Sequence, residues 1–282
     1  MTYDENWGYN MIVELNKEEY YKISYIADQC KNIEVRAVVQ GNNPGRVYVD
    51  RETEPTAALI WIQGQQGFQI VGDPQSEGFL TGLNDYMITH VEPVLKKQNI
   101  SVVEMGANLD TWDSTISTIF NNRNVLSDIQ HVFYSEGNLL ARRPDLSDPP
   151  AIHRIDRDLL ESRRLDNHSF LEKKLLHFWD SMDAFLQQGF GYYVEEDNNL
   201  VSLCFSAFVA GQTHAIDIET IEGYRKRNYG VQAATAYVKE CSQKGIQPYW
   251  DCSPDNTGSI RIAEGIGMIP DFDYRIFWYG IT

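Results

Sequence analysis

Apolar residues change their spacing several times along the chain, and each change predicts a new element. In ELNKEEYYKISYIADQC, Leu15, Tyr20, Ile23 and Ile26 recur at helical intervals, which predicts a helix. The runs GRVYVDR, TAALIWIQG and GFQIVGDP are β-rich and separated by Gly, Asn, Pro and charged residues, the pattern of an antiparallel meander. Helical spacing returns in EGFLTGLNDYMITHVEPVLKKQN, where Pro93 marks a helix start or a kink. SVVEMGA predicts a strand, LDTWDSTISTIFNNRN a helix with Asp110 or Asp113 near its cap, and QHVFYSE a further strand.

The prolines and polar residues of ARRPDLSDPPAIHRID then read as a linker. They divide the chain into residues 1–143, a linker at 144–151 and residues 152–282. The second part runs strand (AIHRID), helices (DRDLLESRRL and SFLEKKLLHFWDSMDAFLQQG), hairpin (FGYYVEED and LVSLCFSAFVAG), strand (THAIDIET), basic loop, helix, strand (QPYWDCS), helix (NTGSIRIAEGIGM) and strand (DYRIFWYGI). That order is a mixed α/β, or α+β, layered fold. The first part alternates in a similar way, as a diverged copy of the same unit would, although no residue-level repeat links them.

Composition narrows the function. The 282 residues carry a net charge of −16, which disfavours nucleic acid as a partner because a duplex-binding face needs a basic stripe. The acid excess serves solubility or attracts a cationic substrate. Cys30, Cys204, Cys241 and Cys252 lack paired metal-ligand spacing, so no metal is expected. Scattered cysteines fit a reducing compartment. MTYDENWGYNMIVELNKEEYYKI has no basic region followed by an apolar one, so it is not a signal peptide. No apolar run has membrane-spanning length. The expectation is a cytoplasmic protein with no membrane partner.

The most informative stretch is Ile218 to Gly245, IETIEGYRKRNYGVQAATAYVKECSQKG. A strand ends, Arg225-Lys226-Arg227-Asn228-Tyr229-Gly230 follows, and a helix begins with Val231, Ala234, Val238 and Cys241 on one face. The first amides of a helix are unpaired and carry partial positive charge, so they attract anions. Gly230 lets backbone approach a phosphate, and Asn228 tolerates a left-handed conformation. The loop is neither a Walker loop nor a dinucleotide fingerprint; read alone, it is equally a plain strand-to-helix turn with solvated basic residues.

In this order of elements the loop resembles the R/Q-x-x-G-x-G/A loop of the GNAT superfamily of acyl-CoA N-acyltransferases, with Asn228 in place of the first Gly. WDCSPDNTGSIRIAEGIGM resembles the family's following segment, with Asn256 and Ser259 after the fifth strand and Gly267-Met268 at the helix end. The resemblance covers roughly Ile152 to Thr282. The wording of this half looks closest to a bacterial subfamily that joins it to a diverged N-terminal half, one member of which confers self-resistance to the antibiotic zwittermicin A.

The resemblance implies acetyl-CoA as cofactor and a small-molecule amine as partner; a homodimer is compatible with it. It implies that the amides of residues 226–230 hold the pyrophosphate and that the edge of IDIET, including Ile218 and Thr220, pairs with pantetheine. Asn256 is implied on the cofactor arm, and by residue type it also suits a helix N-cap. An ammonium with an ordinary pKa of about 10.4 needs a base at neutral pH. Glu219 fills that slot, with Glu222 as a fallback nearer the loop. Alternation puts Ile216, Ile218 and Thr220 on one strand face and Asp217 and Glu219 on the other. A backbone N–H around Glu219 or Thr220 is the implied oxyanion donor. Where many relatives carry a Tyr in the last helix, this chain has Ala263. His214 suits a structural role better than a catalytic one. Two other readings stay open: a non-catalytic acyl-CoA sensor, and an interaction protein that kept the fold without the cofactor.

Overall fold

A computed structural model describes residues 12–135 and 150–281. The chain's first residues and nearly all of the expected linker at 144–151 lie outside them.

The first half begins with an extended segment, not a helix. β1 (Val13–Leu15) pairs with β2 (Gly45–Val49), and its Leu15 is buried. Leu15 is therefore a strand residue that only happens to match the helical spacing of Tyr20 and Ile23. A 3-10 helix (Lys17–Ile23) follows, opened by a capping box between Asn16 and Glu19. One α-turn, α1 (Ser24–Ala27), and α2 (Ile33–Val39) complete the segment. β2, β3 (Ala57–Ile62) and β4 (Gly67–Gly72) form the expected meander.

α3 (Glu77–Tyr86) and α4 (Glu92–Lys97) are joined by a π-helical turn at Met87–Val91. Pro93 lies in the first turn of α4, where its missing N–H costs nothing. β5 (Val102–Asn108), α5 (Asp113–Ile119) and β6 (Leu126–Tyr134) follow; Asp113 sits in the first turn of α5, and Trp112 is its N-cap.

The second half repeats the plan. It contains β7 (Ala151–Arg154), α6 (Arg157–Ser162), α7 (His168–Phe178), α8 (Met182–Gln188), β8 (Gly191–Glu196), β9 (Asn199–Ala210) and β10 (Thr213–Thr220). α9 (Tyr229–Lys244), β11 (Gln247–Cys252), α10 (Thr257–Gly265) and β12 (Ile269–Gly280) close it.

All the described strands join one 12-stranded sheet in the order β1-β2-β3-β4-β5-β12-β6-β11-β10-β9-β8-β7. The halves exchange their final strands. β12, from the second half, lies between β5 and β6 of the first, and β6 reaches over to pair with β11.

Strand alternation sends Leu203 and Phe205 into a core shared by both halves, with Ile33, Val38 and Ile60 from the first and Leu171 and Trp179 from the second. Cys204 points the other way, into the core beneath α9 and α10. α3–α5 cover a third core on the first half. Buried Asn43 stitches the halves together: its amide donates to the carbonyls of Phe178 (3.0 Å) and Ala207 (2.8 Å) and accepts from the N–H of Val209 (3.1 Å).

Candidate active site

The site starts where the sheet parts. β10 keeps its partner β9 from Thr213 to Thr220, with a bulge between Ala215 and Ile216. Its parallel pairing with β11 covers only Thr213–Ala215. From Ile216 to Thr220, the edge that faces β11 has no strand partner among the described residues, so its backbone groups, apart from the Thr220 carbonyl taken by Arg225, are open to a ligand.

α9 begins at the far end of that edge. After a 3-10 turn at Glu222–Tyr224, the chain adopts left-handed conformations at Lys226 (φ 65°) and Asn228 (φ 64°). Asn228 thus takes the conformation a glycine would supply, as its residue type predicted. The N–H groups of residues 226 to 231 donate to no backbone carbonyl among the described residues. The basic side chains diverge. Arg225 Nε donates to the Thr220 carbonyl (3.1 Å), Lys226 is exposed, and Arg227 pairs with Glu196 (3.1 Å), which also accepts from the Tyr229 hydroxyl (2.5 Å).

Gly230 is a packing position. A Cβ there would stand 3.1 Å from Ile262 Cδ1 and 3.2 Å from Thr220 Oγ1, so the start of α9 presses against α10 and the end of β10. Thr220 in turn shares a 2.8 Å hydrogen bond with Ser202, and Ile218 packs into the core beneath α9. Asn256 caps α10 by accepting from the Ser259 N–H (3.1 Å), and Ser259 Oγ accepts from Trp250 Nε1 (2.8 Å). Ala263 is fully buried in α10.

Asp217 and Glu219 share a strand face, as alternation required. Both meet Lys174 of α7, at 3.5 Å and 2.5 Å. Burial would lower the Lys174 pKa, but Asp217 and Glu219 outweigh it and hold the ammonium above its usual value. The shorter contact makes Glu219 its main partner, and burial raises Asp217 in spite of the lysine. Glu222 is exposed in the turn beyond the strand. His214 is buried, hydrogen-bonded to Ser206 (2.9 Å) and lowered by burial to about 4. It is a neutral core residue.

On this face a cavity of about 290 Å³ opens at the parting point, lined by Ala215, Ile216 and Asp217 of β10 together with Glu34, Asp251 and Tyr274. Neither Glu219 nor Glu222 lines it. The Tyr274 hydroxyl donates to Asp251 Oδ2 (2.7 Å). Burial raises the Asp251 carboxyl, opposed by that hydrogen bond and reinforced by Asp217. Sequence reasoning missed Asp251 and Glu34. Asp251 had a weak signal, as an acid on the strand that begins beside β10. Glu34 had none, because it comes from the other half.

The first half has the same parting without the basic loop. β4 pairs with β5 only through Phe68 and Gln69. Its strand-to-helix turn carries Asp73 and Glu77 where the second half carries arginines, a charge pattern that repels phosphate.

A family model described as GNAT acetyltransferase matches residues 24–277, nearly the whole chain. The chain belongs to the GNAT acetyltransferase family. This GNAT chain is 27% identical over 274 residues to the uncharacterized N-acetyltransferase YdfB of Bacillus subtilis (strain 168), covering 96% of this chain and 100% of that one. A solved GCN5-related N-acetyltransferase-like protein from Streptococcus suis 89/1591 shares the fold, with TM-score 0.67 at 19% identity over 94% of this chain and 99% of that one. A tandem GNAT protein from the clavulanic acid biosynthesis pathway does so at TM-score 0.58 and 11% identity, over 95% and 97% of the two chains. No described helix of this GNAT chain is long and apolar enough to cross a membrane.

Proposed function

We propose that the second half binds acetyl-CoA and transfers its acetyl group to a primary amine of a small molecule held in the cavity between the halves. The observation that carries this reading is the parting of β10 from β11 after Ala215, with the cavity at its vertex and the basic loop at its open end. The residues present fit the coenzyme. Six consecutive N–H groups at residues 226–231, at the start of a 16-residue helix, suit a pyrophosphate. Arg225 and Lys226 add positive charge, and the edge from Ile216 to Thr220 offers backbone pairing to pantetheine. Asn256 and Ser259, engaged in the cap of α10, help shape that end of the site. When bound, acetyl-CoA supplies a thioester: the amine nitrogen bonds to its carbonyl carbon as the carbon–sulfur bond breaks and the thiolate departs.

The chain's own groups do the remaining work. An open backbone N–H near the bulge of β10 meets the developing oxyanion. Asp217 lines the cavity and is raised by burial, which suits it to accept the ammonium proton. Glu219 anchors Lys174 beside it, and Glu222 stands outside the cavity. Ala263 stands where a tyrosine acid would, so that position offers no proton to a departing thiolate, and an ordinary thiol pKa of about 8.5 would permit departure without one.

The test is calorimetric titration with acetyl-CoA of the intact chain and of an Arg225→Ala/Gly230→Trp variant whose circular dichroism matches it. Micromolar binding is expected for the intact chain, with a loss of at least about a hundredfold in the variant, since charge-assisted contacts and the loop geometry both go. Free thiol appearing with amine acceptors then distinguishes an enzyme from a coenzyme sensor. No binding to the intact chain at millimolar coenzyme would overturn the reading.

A further inference from the structure

The cavity is acidic throughout. Glu34, Glu104, Asp217 and Asp251 line it, and no Lys, Arg or His does. Glu34 is the least expected of them. It is 1% exposed, it comes from α2 of the first half, and its Oε2 has no hydrogen-bond partner among the described residues. A core position would ordinarily hold an apolar residue, and a carboxylate without a partner there is costly. The neighbouring polar side chains are committed to other partners. Asn32, just before α2, reaches the Tyr249 hydroxyl of β11 at 3.4 Å, and Tyr274 commits its own hydroxyl to Asp251. Polar groups on three elements therefore leave one buried carboxylate oxygen unpaired at the wall of a cavity.

We propose that the acceptor is a dication, two ammonium groups on a short flexible linker, with one presented to Asp217 and the other held by Glu34. This rests on the amine-acceptor reading above and names its substrate class. A single ammonium presented to Asp217, which also meets Lys174 of α7 at 3.5 Å, leaves Glu34 unpaired. A second ammonium supplies hydrogen-bond donors to Glu34 and the positive charge that the cavity lacks. The groups around Glu34 give it no such help. Asp251 and Tyr249 of β11, Tyr274 of β12 and Cys30 before α2 are the groups that interact with it electrostatically, and all are anionic or neutral. Burial and Asp251 push the Glu34 carboxyl well above its ordinary range, which favours its protonated form while the cavity holds no cation. On binding, the second ammonium takes the place of that proton, which passes to solvent.

The test is calorimetry of the full chain with coenzyme A present, titrating 1,4-diaminobutane and, separately, butylamine. Measurements in two buffers of different ionisation heat report protons released. The diamine is expected to bind at least about tenfold more tightly, equivalent to about 1.4 kcal/mol, with release of up to about one proton more than the monoamine. Glu34→Gln should abolish both differences while coenzyme A affinity, the control for folding, stays unchanged. Diamines of neighbouring chain length, titrated into the unaltered chain, should show an optimum. Equal affinity for diamine and monoamine in the unaltered chain, or a preference that survives Glu34→Gln, would overturn the proposal. Either result alongside intact coenzyme A binding leaves the acetyl-transfer reading standing; absence of coenzyme A binding removes both.

Discussion

Asn43 shows how much one side chain can decide. It sits in GNNPG, which reads as an ordinary turn, yet its amide serves three backbone groups of the other half. Removing it strands those groups in a dry interface, where each unpaired group costs about 1–3 kcal/mol. Asn43→Ala should therefore destabilise the protein by about 3 kcal/mol or more, read as a drop in the urea midpoint. A loss below about 1 kcal/mol would mean that water replaces the amide. Residue chemistry was legible where it is local. Asn228 takes a left-handed conformation because its short polar side chain tolerates one, and Asp217 and Glu219 share a face because strands alternate. It was illegible where partners are distant: nothing in the run CKNIEVR says that Glu34 will be buried beside a cavity lined by β10 and β11.

Among the elements, α9 carries the loop at its start and an ion cluster at its end. Glu240, near that end, pairs with Lys244 (2.6 Å) and with Arg154 of β7 (3.0 Å), and it accepts from Tyr192 of β8 (2.7 Å). Burial alone would raise its carboxyl, but Arg154, Lys244 and Tyr192 hold it down to about 2. A carboxyl depressed on folding stabilises above its unfolded pKa, and that stability fades as pH falls toward the folded one. Glu240→Gln should cost about 2 kcal/mol at pH 7. That is less than the shift alone implies, because Arg154 and Lys244 are near half exposed. In urea titrations the gap between the two proteins should narrow from about pH 5 downward; a gap that is constant with pH would show the cluster to be packing, not charge. Elements of this kind were readable from periodicity: the meander of the first half is where the apolar spacing put it, and Ala234, Val238 and Cys241 of the expected α9 face are buried in the core, with Val231 half-buried at its start. The first residues of the opening segment were not: Lys17–Ala27 is helical as the spacing predicts, but Leu15 matches that spacing and is a strand residue because of its pairing with β2.

At the scale of the molecule, the exchange of β6 and β12 ties two similar halves into one sheet. Each half's core is bounded by a strand from the other, so neither is complete alone. Equilibrium unfolding in urea should show one transition, coincident by far-ultraviolet circular dichroism and by fluorescence of Trp61 and Trp112 in the first half and Trp179 and Trp250 in the second. Two separated transitions would show that the halves unfold independently. The pairing could not be foreseen from the chain, since alternation identifies a strand but not its neighbour.

The exchange also sets a timetable. During synthesis the chain emerges from its N-terminal side, and domains generally fold as they appear. Here β12 is made after every other strand described, so the seam between β5 and β6 stays open until the second half has emerged. A nascent chain of this protein carries an unfilled sheet edge until β12 has emerged from the ribosome, and its demand for chaperones should be greatest just before that strand appears.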